Sequence, residues 1–334
     1  MRRTTRLQLE TVQEEEEEGG IAANETTYQL DCKGSFSVPS SPRISKEEID
    51  ALKQAIVAGG ATLDRAVEAL AASRVTNVGL TLKECEQATE EVLARVLAVL
   101  PVKLEHLSLV SCEQLRSVPR LSALTQLQTL TVNGCDQLTS LPDLSGLTKL
   151  RKLEVGQCGC EFESLPDLSA LTQLQMLRVV FLFLNKLPAG ISALTQLQTL
   201  ILINCCNYIH SCPDLSALTK LQTLNLHGGS KFTEIPGLSA LTQLQTLDLN
   251  NCLQLESLPD LSGLTQLQTL DLTDCWALGE RLVQGSFSLD LSALTRLQTL
   301  NVGSETPELY ELASLPPALE ALKTSVTGKE RTYG

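Results

Sequence analysis

The sequence predicts an α/β fold. One short strand per unit stacks into a curved parallel sheet of a right-handed solenoid. Short helical or 3-10 turns line its convex side, and a helical cap closes its N-terminal end. Three observations carry this reading. The phrase Leu-Ser-Ala-Leu-Thr-Gln-Leu-Gln-Thr-Leu at 121–130 returns in near copies at 144–153, 168–177, 215–224, 238–247, 261–270 and 291–300. The first Leu of each LxxLxL segment falls at Leu104, Leu127, Leu150, Leu174, Leu197, Leu221, Leu244, Leu267 and Leu297, in steps of 23, 23, 24, 23, 24, 23, 23 and 30 residues. Self-similarity at a fixed period of this length marks a stacked array. Finally, 43% of residues are hydrophobic but only 3% aromatic, so the shared core is aliphatic.

Within a unit, numbered from that first Leu, places four and six alternate inward with period two, as a short strand requires. One unit alone cannot bury its remaining Leu places, so neighbours must stack. Stacked strands lie about 4.8 Å apart, and nine or ten of them span roughly 40–50 Å. Pro142-Asp143 and its copies then open a short helical turn. Pro gives up an amide that would be unpaired there, and Asp caps the turn. Strands occupy less width than these outer turns, so the strand face becomes concave.

The best copies read L-x-x-L-x-L-x-x-C-x-x-L-x-x-L-P-D-L-S-x-L-T-x, as at Leu127, Leu130, Val132, Cys135, Leu138, Leu141 and Pro142. Leu244, Leu247, Leu249, Cys252, Leu255, Leu258 and Pro259 repeat it. This pattern closely resembles the leucine-rich repeat family over roughly residues 77–316. The Cys at place nine and the following Leu-Pro are similar to repeats of plant disease-resistance receptors and their intracellular relatives. The resemblance implies a protein-interaction fold with a signalling or innate-immunity flavour. In the family, place nine meets backbone carbonyls of the turn.

Cys85, Cys112, Cys135, Cys158, Cys205, Cys252 and Cys275 hold that ninth place. They read as a buried ladder of thiols, each a small hydrophobe with a weak S–H donor. Cys205, Cys206, His210 and Cys212 lie close enough to raise zinc. Their spacing fits no familiar knuckle, so no metal is assigned.

The ends differ from the array. Residues 1–42 read as a disordered acidic tail: Glu14 to Glu18 is a run of like charge, and residues 1–31 hold three arginines against eight acids. Such a stretch buries too little surface to offset its ordering entropy. It is a solvated arm or, alternatively, a lure for a basic partner. Residues 43–76 read as the helical cap. Ser45 and Glu48 form a capping box, Ile49, Leu52 and Ile56 give one apolar face, and Thr62 caps a second helix after Gly59-Gly60. The solenoid runs over 77–324, with a longer helix near 89–100 and an insertion around Glu280–Leu289. Leu309, Leu312 and Leu315 continue it loosely, Leu319 and Leu322 suit a last degenerate strand, and 325–334 is a frayed tail.

Composition excludes several functions. With 39 acidic against 26 basic residues, the net charge of −13 argues against nucleic acid as a partner. No apolar run approaches the roughly 18 residues that span a bilayer, and no apolar stretch follows the basic Met1–Arg6, so a cytoplasmic location without membrane insertion is expected. The sequence holds no G-x-x-x-x-G-K-S/T, G-x-G-x-x-G, H-E-x-x-H or G-x-S-x-G. Only His106, His210 and His227 could serve as near-neutral bases, and buried ladder thiols are inert. Neither an enzyme nor a cofactor is expected.

Specificity must therefore lie where the copies stop being identical. Place three is mostly Thr (Thr129, Thr199, Thr223, Thr246, Thr269, Thr299) and reads as scaffold. Places five, seven and eight vary. Met176, Val180, Phe181, Ile201 and Ile203 form an apolar patch there, beside Arg178. Asn225, His227, Asp248, Asn250, Asn251, Asp271 and Asp274 form an acidic, amide-rich patch over the next three units. An exposed apolar patch marks an interaction site, and neighbouring acids steer a basic partner. The expected function is an intracellular, monomeric protein-interaction module that holds a protein ligand on its concave face. The alternative, prompted by resemblance to ribonuclease inhibitors within the family, is an inhibitor that occludes a basic enzyme.

Overall fold

Each strand forms where the LxxLxL spacing places it. A computed structural model describes residues 28–31, 36–37, 68, 71–72, 78–84, 89–99, 104–205, 209, 211–286 and 288–301. The strands of the array are β3 (Val78–Lys83), β4 (Leu104–Val110), β5 (Thr129–Asn133), β6 (Lys152–Gly156), β7 (Met176–Val180), β8 (Thr199–Ile203), β9 (Thr223–Asn225), β10 (Thr246–Asp248), β11 (Thr269–Asp271) and β12 (Thr299–Asn301). They follow one another in space as in sequence, all parallel, within a sheet of 12 strands. Register is strict: Leu130 pairs with Leu153, Leu153 with Leu177, Leu177 with Leu200 and Leu200 with Leu224. Stacking thus puts every place-four Leu in one buried column, fully enclosed from Leu107 to Leu270.

The far side of each unit is a run of tight turns. Leu124 N–H donates to the Leu121 carbonyl and Leu127 N–H to that of Leu124, and the same pair of bonds closes the copies at 144–150, 168–174, 215–221 and 261–267. Two copies tighten into 3-10 helix, Ile191–Ala193 and Leu238–Ala240. The Asp of each Asp-Leu-Ser phrase, four of them preceded by Pro, caps the turn through its own side chain. Asp143, Asp167, Asp214, Asp260 and Asp290 each accept the amide of the Ser two residues on, at 2.9 Å. This is the Asx-turn chemistry expected of a short carboxylate.

Two helices interrupt the array. α1 (Glu90–Val99) is the longer helix expected near 89–100, and it buries Leu93, Val96 and Leu97. α2 (Trp276–Val283) opens the insertion responsible for the step of 30, and buries Leu278, Gly279 and Leu282.

The N-terminal side corrects one expectation. Residues 1–42 are not disordered throughout. β1 (Tyr28–Asp31) lies parallel to β3, and β2 (Phe36–Ser37) pairs antiparallel to β1, so a small hairpin extends the first edge of the sheet. Most of the predicted cap at 43–76, the rest of the acidic tail, Cys32, Cys85, the strand expected at Leu319 and Leu322, and the tail 325–334 lie outside the described residues. Of the cap, residues 68, 71 and 72 are helical, and Ala71 packs against the core.

Candidate functional site

The strand face is built by register. Arg178, Ile201, Asn225, Asp248, Asp271 and Asn301 stand side by side at place five, each paired with the next along the sheet. All are half-buried except the exposed Asn301. The predicted apolar patch is only partly assembled. Met176, Ile201 and Ile203 are half-buried on β7 and β8, whereas Val180 is buried and presents no surface. The reason lies one strand away. Gly156 pairs with Val180, and a Cβ built on Gly156 would stand 2.3 Å from a Val180 methyl, so the valine leans into the space the missing side chain leaves. Phe181 takes its role. It is exposed, and its amide donates to the Ile203 carbonyl at 2.8 Å, so its backbone adjoins the end of β8.

The polar patch is assembled, and much of it bonds to itself. Asp248 accepts the Asn225 side-chain amide at 2.7 Å on one oxygen and the Asn250 backbone amide at 2.9 Å on the other. Asp271 repeats this with Asn301 and with Thr273 N–H, both at 2.9 Å. Asn225 accepts His227 N–H at 2.9 Å. Each Asx side chain therefore takes the amide two residues ahead. Burial pushes the Asp248 carboxyl up, and the neighbouring Asp271 charge adds to this. The Asn250 amide, His227 and Asn225 oppose the rise. Asn250 and His227 are half-buried, open enough to touch a partner.

Asp274 belongs to a different column. Place eight adopts the left-handed conformation in unit after unit: Ser111, Gly134, Gln157, Phe181, Asn204, Gly228, Asn251 and Asp274 all have φ between 48° and 75°. This conformation suits Gly and Asn, and a short Asp tolerates it. Asn204, Asn251 and Asp274 thus answer a backbone demand. For a bulky ring such as Phe181, at φ 52°, the same conformation is costly.

The thiol ladder is buried where described, at Cys112, Cys135, Cys158, Cys205, Cys252 and Cys275. Thiols of Cys112, Cys135, Cys252 and Cys275 donate to the place-six carbonyl of the preceding unit, at 3.2–3.7 Å. Burial pushes the Cys158 thiol up to about 12 and raises Cys275 as well. The Cys135 thiol is drawn down by its hydrogen bond with Cys112, yet it has no solvent access. Leu182 replaces the thiol in unit four and is equally buried. Cys205 and Cys212 are buried, while Cys206 and His210 of the zinc constellation lie outside the described residues. Among the described residues no three His, Cys, Asp or Glu side chains are grouped to hold a metal. None of the described helices is long and apolar enough to cross a membrane.

Sequence reasoning left Phe183 and Trp276 out of the candidate surface. Both are exposed, and the available signal was an aromatic ring outside the repeat pattern in a chain with so few.

The chain is similar to several solved structures. The leucine-rich repeat domain of the type III effector XopL is 21% identical over 84% of this chain and 87% of that one, with a TM-score of 0.41. A Leptospira interrogans leucine-rich repeat protein is 17% identical over 80% and 91%, with a TM-score of 0.32. The ectodomain of the Arabidopsis thaliana receptor kinase GASSHO1/SCHENGEN3, solved with CASPARIAN STRIP INTEGRITY FACTOR 2, is 21% identical over 72% of this chain and 32% of that one, with a TM-score of 0.41. No curated protein matches. The family model for the leucine-rich repeat region matches residues 136–331, more than half of the chain and every described strand from unit three onward. The chain belongs to the leucine-rich repeat family.

Proposed function

We propose that this chain is a non-catalytic protein-interaction module that binds a protein ligand on its strand face. The observation that carries the reading is the apolar edge formed by Ile201, Ile203 and Phe181, which opens directly onto the Asn225–Asp248–Asp271 row. An identical scaffold underlies both, so the variable surface is what distinguishes one unit from the next. The apolar side chains supply the anchors, since a few buried anchors dominate interface energy. Asp248 and Asp271 steer the approach of a basic partner. Met176, Arg178, His227 and Asn250 complete the contact surface. The net charge of −13 disfavours nucleic acid as the ligand. A cytoplasmic, monomeric scaffold or recognition subunit, in signalling or innate immunity, is the setting that the repeat type favours.

The test is affinity capture with the wild type and with an Ile201→Asp, Ile203→Asp double variant, followed by identification and titration of the retained partner. The proposal expects the variant to keep its fold and lose affinity roughly a hundredfold, the scale of a hot-spot pair. Equal capture by both proteins removes the strand face as the binding site.

A second reading has its own observation: Asp248 and Asp271 sit in register on adjacent strands, a concentrated negative site suited to covering a basic active centre. An inhibitor of this kind loses affinity steeply as salt rises, whereas apolar anchoring is nearly indifferent to salt.

A further inference from the structure

The insertion in unit eight has one side that packing does not explain. α2 turns Leu278, Gly279 and Leu282 into the core. On its other side Trp276 is 53% exposed and Val283 59% exposed, with Glu280 also exposed between them. Spacings of four and three place these three residues along one stripe of a helix, about 10 Å from end to end. The other described helix that follows a strand, α1, exposes Val99 but carries no aromatic ring. A regular turn would have closed the unit with seven fewer residues, and an array gains nothing in its core from an exposed indole and valine. Insertions into single repeats commonly lie on a binding face.

The charges around the stripe select its occupant. Arg281, the basic residue of α2, is engaged by Glu256 of the preceding unit at 2.5 Å. The carboxylate of Glu280 stands one turn from Trp276, and residues four apart on a helix are neighbours. Asp274 adds negative charge two residues before the indole. Phosphate-bearing ligands are repelled by this arrangement. A guanidinium fits it: the planar cation stacks on an indole face while its N–H groups reach a carboxylate beside the ring. Val283 offers an apolar contact one turn further on.

We infer that the outer stripe of α2, Trp276–Glu280–Val283, is a docking site for an arginine-bearing apolar segment of a partner protein, separate from the strand face. The arginine stacks on Trp276 and pairs with Glu280, and an aliphatic neighbour covers Val283. Trp276 is the chain's single tryptophan, so its emission reports occupancy of this site alone.

The experiment titrates the full chain with acetyl-Leu-Arg-Leu-Arg-Leu-amide, following Trp276 emission and, with a fluorescein-labelled copy, anisotropy. The inference expects a saturable change in emission, roughly tenfold weaker binding to Glu280→Gln, and weaker binding to Val283→Ser. It expects no binding of the same peptide with Glu in place of Arg. All three α2 positions are exposed, so the variants keep the wild-type melting temperature. Ile201→Asp, Ile203→Asp binds the peptide as the wild type does, which separates this site from the strand face. An absent or unsaturable response overturns the inference. So does Glu280→Gln binding like the wild type, or a peptide lost with the Ile201 and Ile203 variant.

Discussion

β7 and β8 run for five residues each, whereas β9, β10 and β11 stop after three. The interiors of these units are alike: Leu177, Leu200, Leu224, Leu247 and Leu270 are all fully buried. What changes is place five. Arg178 and Ile201 leave the next amides to the sheet. Asn225, Asp248 and Asp271 capture the place-seven amide with their own side chains, and the regular strand ends there. Short Asx side chains compete with secondary structure in this way. One exterior residue per unit therefore sets both the length of the strand and the character of the surface. The backbone ladder continues beyond it, since Leu226 N–H still reaches the Asp248 carbonyl and Leu249 N–H that of Asp271.

The largest test concerns what the two regions share. Cys135→Asp and Cys252→Asp each place a charge in the sealed ladder, and each is expected to cost about 3–5 kcal/mol in urea unfolding. Cys160→Asp, on the exposed side of unit three, is expected to change little. If Cys252→Asp melts like the wild type, the interior of the later units is open and the comparison fails at its base.

Next comes the residue that separates the regions. Asp248→Ala strips a carboxylate from the Asn250 amide and from the Asn225 side chain, and is expected to lower stability by about 1–3 kcal/mol. Ile201→Ala at the same place removes only part of a half-exposed contact, worth about 1 kcal/mol or less. Equal losses in a calorimetric scan would show that place five is not what distinguishes the units.

These differences explain which features were legible in advance. The Leu columns, the ladder cysteines and the Pro-Asp-Leu-Ser turns were plain because burial or a cap forces the same place in most copies. Val180 was misread because place seven faces neither fully in nor fully out. Its burial depends on Gly156 in the neighbouring unit, a long-range fact that no single repeat displays. Asn251 and Asp274 were read as surface chemistry although Gly134 and Gly228 share their column, the mark of a left-handed backbone. The β1–β2 hairpin left no signal because its four- and two-residue strands are too short for periodicity and draw on β3 for support.

That left-handed column yields a smaller prediction. Phe181→Asn relaxes the backbone at an exposed site and is expected to raise stability by about 1 kcal/mol. Asn251→Phe imposes the same strain on unit seven and is expected to lower it by about as much. Phe181→Asn should also weaken partner capture, which would identify the ring as held for binding at the expense of the fold. A variant no more stable than the wild type would show that the ring contributes packing that offsets its strain.

The smallest effect is a dependence on acid. Burial raises the Asp248 carboxyl above its ordinary value, so the native state takes up that proton at a higher pH than the unfolded chain does. A group raised in this way weakens folding while ionised. Its penalty is relieved as pH falls through the folded value. The turn carboxylates behave in the opposite sense. Bonds from Ser145 and its equivalents hold Asp143, Asp214, Asp260 and Asp290 low, so their contribution is present above the unfolded value and lost as pH falls. The wild type thus loses turn stability in acid while regaining some at β10. Comparing it with Asp248→Asn cancels the turns, which both proteins share. Urea midpoints from pH 7 to pH 3 should show the wild type gaining on the variant by less than about 1 kcal/mol as acid is added. A gap that stays constant, or widens in the variant's favour, would mean that the Asn225 and Asn250 donors outweigh burial and keep Asp248 charged throughout.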